Sequence, residues 1–306
     1  MPLDVERPHV EHPRSRPSFA SRLITTCLIL ATGFYILREP IANLRDTVKQ
    51  IQHDHHVPSS NSHCRQVAPL HPPEDKVLDH VFEHINTETF RNASIARHSG
   101  AVQIPTESFD DMGPIGQDER WEIMYSFENY LQQTFPKLHA TLRKENVNTH
   151  GLLYTWQGTD DTLKPLILMA HQDVVPVPAS TVDSWTHPPW SGDYDGKYIW
   201  GRGSSDCKNQ LIAIMEVIEL YVAAGWEPRR TIIVSLGFDE EVSGPQGAGH
   251  LAPFLLDRYG KDSIAAIVDE GNGYGHSYGG VFAAPGVGEK GYIDVHVTVR
   301  MPGGHS

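Results

Sequence analysis

Three apolar segments of strand length, each followed at once by acids or by a histidine and an acid, constrain this chain more than any other feature. Residues 165–170 (PLILMA) run into His171 and Asp173, residues 231–237 (TIIVSLG) into Asp239, Glu240 and Glu241, and residues 263–268 (SIAAIV) into Asp269 and Glu270. Aliphatic and β-branched runs of this length are expected of strands buried in a parallel sheet. Helical patterns lie around them at 74–85, 120–138 and 252–260, with a long apolar one at 210–225 that Gly225 ends. A further strand pattern occupies 151–158. Strands alternating with helices predict a layered α/β fold with a parallel or mixed sheet. In such sheets ligands bind beyond the C-terminal strand ends, which is where the acids sit.

Charge sharpens the point. Adjacent carboxylates repel, and burying one without a partner costs several kcal/mol, so the Asp239-Glu240-Glu241 triplet must be either solvated or neutralised. An isolated triplet reads as a solvated loop. Three strands that end alike point instead to a shared cation. His171 and Asp173 are two residues apart, so strand geometry turns both side chains the same way, and a carboxylate beside a metal-bound imidazole fixes its tautomer. A fourth element, WGRGSSDCKNQ at 200–210, delivers Asp206 to the start of the apolar helix. Alone, Ser205 or Asp206 would read as a helix cap. The loop lacks the spacing of a phosphate-binding loop, which argues against a nucleotide.

Histidine with oxygen donors and no thiolate suits zinc, with cobalt or manganese as substitutes. More than three acids in one crevice exceeds what one divalent ion needs. Two ions about 3.5 to 4 Å apart, sharing one carboxylate, would neutralise the cluster and activate a water.

Composition removes other readings. The formal net charge of −13 argues against a nucleic-acid partner. Three cysteines, Cys27, Cys64 and Cys207, make neither a disulfide framework nor a CxxC zinc site.

LMAHQDVVPV, WGRGSSDCKNQ, SLGFDEEVSGPQGAGHL, IVDEG and the terminal PGGHS, in that order over residues 76–306, closely resemble the M20 metallopeptidases, in particular the fungal carboxypeptidase S (Gly-Xaa carboxypeptidase) branch. The resemblance implies a three-layer α/β/α zinc-exopeptidase domain with a mixed sheet over 76–287, and the start of an α+β lid or dimerisation domain at 288–306. It implies two zinc ions: His171 and Asp269 as ligands of one, Glu241 of the other, and Asp206 bridging both. Asp173 would support His171, and Glu240 would be the general base. It also implies a cis Asp206–Cys207 peptide and a packed, non-nucleophilic Cys207. His305 matches a lid histidine that polarises the scissile carbonyl, often across a homodimer. The substrate class is a short peptide of Gly-Xaa type cleaved at its C-terminal bond, with N-acyl amino acids as the alternative. In the family the lid continues and a further metal-binding histidine follows, so by this resemblance the chain is C-terminally truncated, and an inactive truncated product is a third reading.

The N-terminus is of another character. Arg14, Arg16 and Arg22 precede fifteen uncharged residues at 23–37. As a helix these span about 22 Å against a hydrocarbon core of about 30 Å. Both a signal-anchor and a cleaved signal peptide fit. Without a small-x-small cleavage site, the reading favours an uncleaved single-pass anchor within the tail at 1–39, followed by a juxtamembrane linker at 40–75 that contains His53 to His56. The resemblance implies the vacuolar membrane or lumen, which the hydrophobic segment permits, with an extracellular location as alternative. Asn92-Ala93-Ser94 forms a glycosylation sequon.

Overall fold

The computed structural model describes residues 74–304, apart from 272–273, 278, 284–285, 289–290, 292 and 294. The chain begins with α1 (Lys76–Ile85) and α2 (Glu88–Val102). Asp75 and Thr87 cap them, each side chain accepting from a first-turn amide that has no partner within the helix. The helical pattern at 120–138 forms α3 (Ile123–Thr134) and α4 (Pro136–Thr141), divided at Phe135, because Pro136 disfavours helical backbone at the residue before it.

Next come β1 (Arg143–Val147), β2 (Gly151–Trp156) and β3 (Leu166–His171), then the short hairpin β4 (Asp193–Tyr194) and β5 (Ile199–Trp200). The apolar helix is α5 (Lys208–Ala223), followed by Gly225 at φ 71°. β6 (Ile232–Gly237), α6 (Ala248–Tyr259), β7 (Ala266–Val268) and the hairpin β8 (Tyr274–Ser277) and β9 (Gly280–Ala283) complete the order.

The five-stranded sheet runs β1-β2-β6-β3-β7. β1, β2 and β6 pair antiparallel, whereas β6, β3 and β7 are parallel, so the sheet is mixed. Alternation along the strands splits the core in two. Leu152, Tyr154, Val234 and Leu236 meet Phe127 and Leu131 of α3, Leu138 of α4 and Leu211, Ile212 and Met215 of α5 on one face. Leu153, Ile167 and Ile233 meet Leu251 of α6 on the other. Helices on both faces of a mixed sheet make three α/β/α layers.

The parallel part positions the site. His171, the last residue of β3, lies in register with Gly237, the last of β6. Asp239 to Glu241 and Asp269 therefore emerge at one sheet edge.

Three expectations are corrected. Of the run at 263–268 only Ala266–Val268 forms a strand, and Ile267 and Val268 stay more than half exposed, because β7 is the outermost strand. The alternating segment at 289–300 forms no strand among its described residues; Ile293, Val295, Val297 and Val299 are exposed and have no ladder to join. The single-pass membrane reading is also overturned: among the described residues no helix is long and apolar enough to cross a membrane. The segment at 23–37, the linker histidines and His305 lie outside the described residues.

Candidate metal centre

β3 brings His171 to the sheet edge with only 3% of its surface exposed. Its Nδ1 lies 2.9 Å from the Asp173 carbonyl oxygen and 3.3 Å from the Asp173 carboxylate. Nε2 faces acids from three other segments: Asp206 at 3.1 Å, Glu270 at 3.6 Å and Glu240 at 3.7 Å. Glu241 completes a second group, its carboxylate within 4.8 Å of the His171 and Glu240 donor atoms.

Cys207, buried beneath His171, accepts from the His171 amide at 3.2 Å. Burial pushes its thiol up, which disfavours the thiolate that metal binding or attack would need. The Asp206–Cys207 peptide is cis.

Asp173 is fully buried, and its carboxylate is surrounded by donors. Oδ1 accepts from the Glu240 amide at 3.0 Å; Oδ2 accepts from the Glu241 amide at 3.1 Å and from the Ser108 hydroxyl at 2.6 Å. Burial alone would raise its pKa, but His171, Ser108 and the Glu241 amide outweigh that and hold it below the ordinary carboxylate range. One carboxylate thus fixes both the imidazole and the backbone of the acid-bearing turn.

Asp239 belongs elsewhere. It points inward and accepts from the amides of Gln246 and Gly247 at 2.6 and 2.8 Å, just ahead of α6.

The remaining charge is unbalanced. Burial, followed by repulsion from Asp206, pushes Glu241 up to about 7. Glu240 and Glu270 are raised by burial and then by neighbouring acids, against the pull of His171. Burial lowers His171, but hydrogen bonds to Asp173 and Cys207 prevail and carry it to about 12. Among the described residues no lysine or arginine pairs with Asp206, Glu240, Glu241 or Glu270. The adjacent Lys208 is buried, its Nζ directed at the carbonyls of Ala101 and Ile104. An imidazole and several carboxylates with no lysine or arginine among the described residues to balance them are a donor set that fits divalent cations. Binding one at His171 would release a proton. The cleft above is about 1510 Å³, with Leu255 and Ile267 in its walls beside His171, Asp206, Glu240 and Glu270.

The structure brings together His171, Asp173, Asp206, Glu240 and Glu241. Asp269 is outside these groups: its Oδ1 accepts from the Glu270 amide at 2.9 Å, and Glu270 is the acid that reaches His171. Asn92 is exposed on α2, and the Ser94 hydroxyl donates to Glu216 at 2.8 Å. Sequence reasoning assigned no role to Glu270, though it adjoins Asp269, or to Ser108 and Lys208. Lys208 could have been noticed as the cation beside Asp206; nothing local marks Ser108.

Residues 167–299 match the model for peptidase family M20/M25/M40. Carboxypeptidase S of Saccharomyces cerevisiae is 47% identical over 253 residues, covering 81% of this chain and 43% of that protein. An uncharacterized carboxypeptidase of Schizosaccharomyces pombe is 42% identical over 252 residues, 81% of this chain and 42% of its own. The mouse N-fatty-acyl-amino acid synthase/hydrolase PM20D1 is 37% identical over 213 residues, 68% of this chain and 40% of that protein. The chain spans less than half the length of these curated relatives.

Proposed function

The chain carries a domain of the M20 peptidase family, and from that premise we propose that it serves a zinc carboxypeptidase acting on short peptides of Gly-Xaa type. One observation carries the reading: a buried imidazole faces carboxylates from three other segments at the end of parallel strands, with no lysine or arginine among the described residues to balance them.

His171, Asp206 and Glu241, with Asp269 or its neighbour Glu270, would hold the two zinc ions. When bound, zinc lowers the pKa of a water from about 15.7 toward about 7 and polarises a carbonyl. Glu240 is the acid left to move the proton. It is half exposed to the cleft, its backbone is fixed by Asp173, and burial raises its pKa, as suits a group that must both accept and return a proton. Its carboxylate takes the proton from the attacking water and hands it to the leaving amine. Asp173 keeps the imidazole and Glu240 in place. In the proposal, residues 288–306 begin a lid whose His305 polarises the scissile carbonyl, in a homodimer.

The test is Glu240→Gln. Turnover of a Gly-Xaa dipeptide should be lost while bound zinc, measured by atomic absorption, is retained. Activity that survives in this variant, or that resists a chelator, removes the reading. A second reading, hydrolysis of N-acyl amino acids, is favoured by the likeness to the mouse hydrolase. Assaying acyl amino acids beside dipeptides separates the two.

A further inference from the structure

Ser108 lies 65 residues from Asp173 in sequence, yet its hydroxyl donates to that carboxylate at 2.6 Å, and neither residue has any exposed surface. Its placement depends on a short strap, residues 104–108, laid against the end of β3. Val174 donates its amide to the Thr106 carbonyl at 2.9 Å, and Ser108 donates its own to the Val174 carbonyl at 3.2 Å. The Thr106 hydroxyl donates to the Gln172 carbonyl at 2.6 Å. The strap is anchored where it leaves α2. There the buried Lys208 ammonium donates to Ala101 and Ile104 at 3.0 and 2.6 Å, and it lies over the Phe127 ring at 4.9 Å. Lys208 follows Asp206 by two residues, so one segment carries a candidate metal ligand and fastens the strap.

We propose that Ser108 is a positioning residue of the metal centre: its hydroxyl fixes the Asp173 carboxylate, and through it His171 and the turn bearing Glu240 and Glu241. The physical case is that the two oxygens of Asp173 meet four groups from three segments: His171 at the end of β3, the Glu240 and Glu241 amides of the acid turn, and the Ser108 hydroxyl of the strap. Ser108 is the only one of these that belongs to neither the His171 end of β3 nor the acid turn. It is therefore the external reference that stops the carboxylate from rotating with them. Without it, Oδ2 keeps only the longer bond to the Glu241 amide, and the carboxylate contact to His171 at 3.3 Å is loosened while the Nδ1 contact to the Asp173 carbonyl oxygen at 2.9 Å remains. Losing a partner of a metal-binding histidine typically weakens metal affinity by about 10- to 100-fold. Ser108 acts one step further out, so the lower end, about 10-fold, is expected.

The inference rests on the metal reading above and is tested without turnover. Zinc affinity of the full chain is measured by competition with a chromophoric chelator for wild type, Ser108→Ala and Thr106→Val, with circular dichroism and urea unfolding of each. The expected result is that S108A stays folded and binds zinc about 10-fold more weakly. T106V, which removes an equally buried strap hydroxyl that touches only backbone, should lose stability and keep wild-type affinity. Wild-type affinity in S108A overturns the inference, as does an equal loss in T106V, which would make the effect one of strap stability alone. An unfolded S108A also overturns it, because positioning requires a fold that stands without the hydroxyl. Wild-type protein that binds no zinc fails the metal reading itself, a different outcome from wild-type binding with an unaltered S108A.

Discussion

Replacing Asp239 with alanine should destabilise the fold by about 2 to 4 kcal/mol, and the figure follows from two hydrogen bonds. Asp239 has no exposed surface, and its two oxygens separately accept the amides of Gln246 and Gly247, which precede α6. A buried donor left without an acceptor costs about 1 to 3 kcal/mol, which would give about 2 to 6 for the pair. Two effects reduce this. The variant no longer buries a carboxylate, whose burial pushes the Asp239 pKa up, and a water can enter the vacated space to take one amide. Loss of a helix cap elsewhere costs about 0.5 to 2 kcal/mol, so a site holding two amides belongs above that range.

Asp239→Asn should cost less than the alanine change, since the amide oxygen still accepts one bond. The assay is urea unfolding of all three proteins with a chelator present, so that bound metal adds nothing to stability. A D239A cost within about 0.5 kcal/mol of wild type, as for an ordinary surface substitution, would refute the reasoning. So would a D239N variant less stable than D239A.

Burial, and then Lys208, lowers the His98 pKa from 6.5 to about 4. The unfolded chain takes up that proton below about 6.5 and the folded chain only below about 4, so stability falls as pH drops through this window, by about 3 kcal/mol at most. His98→Gln should flatten that part of the stability profile measured by urea unfolding at each pH, and an unchanged slope would count against it. Gly158→Ala should cost about 1 to 3 kcal/mol, read from thermal melts, because a Cβ there would lie 2.4 Å from the Arg229 carbonyl oxygen and the Thr231 amide. Zinc at about 100 times its dissociation constant should add about 2.7 kcal/mol to wild-type stability and close to nothing to His171→Ala; equal stabilisation of both would place the ion elsewhere.

Much of this was legible in the sequence, and the failures have physical reasons. β2, β3 and β6 were readable because strands inside a sheet must be apolar on both faces, and β6 and β3 both end where the acids begin. β7 looked equivalent in composition, but composition does not record which strand lies outermost. The segment at 289–300 alternates correctly, yet alternation specifies a face and cannot supply a partner strand. His171, Asp206, Glu240 and Glu241 could be picked out because each stands directly after an element with a strong pattern. The preference for Asp269 over Glu270 could not be read that way, since adjacent residues differ only in the direction the backbone gives them. Ser108 was beyond reach: its role depends on a contact across 65 residues, and a lone serine in a loop carries no pattern.

The acid triplet shows how one turn separates three like charges. Asp239 turns inward to two amides, while the next two amides turn to Asp173, so the first acid is satisfied by backbone beyond it and the turn itself is held by a fourth acid. With both backbone amides occupied, the side chains of Glu240 and Glu241 are left facing the His171 donor atom. Ser243 closes the turn at φ 72° with its amide on the Glu240 carbonyl. Replacing Asp173 would therefore disturb Glu240, Glu241 and His171 together. It is the shared dependence on this one buried carboxylate, more than the number of acids, that couples the elements of the site.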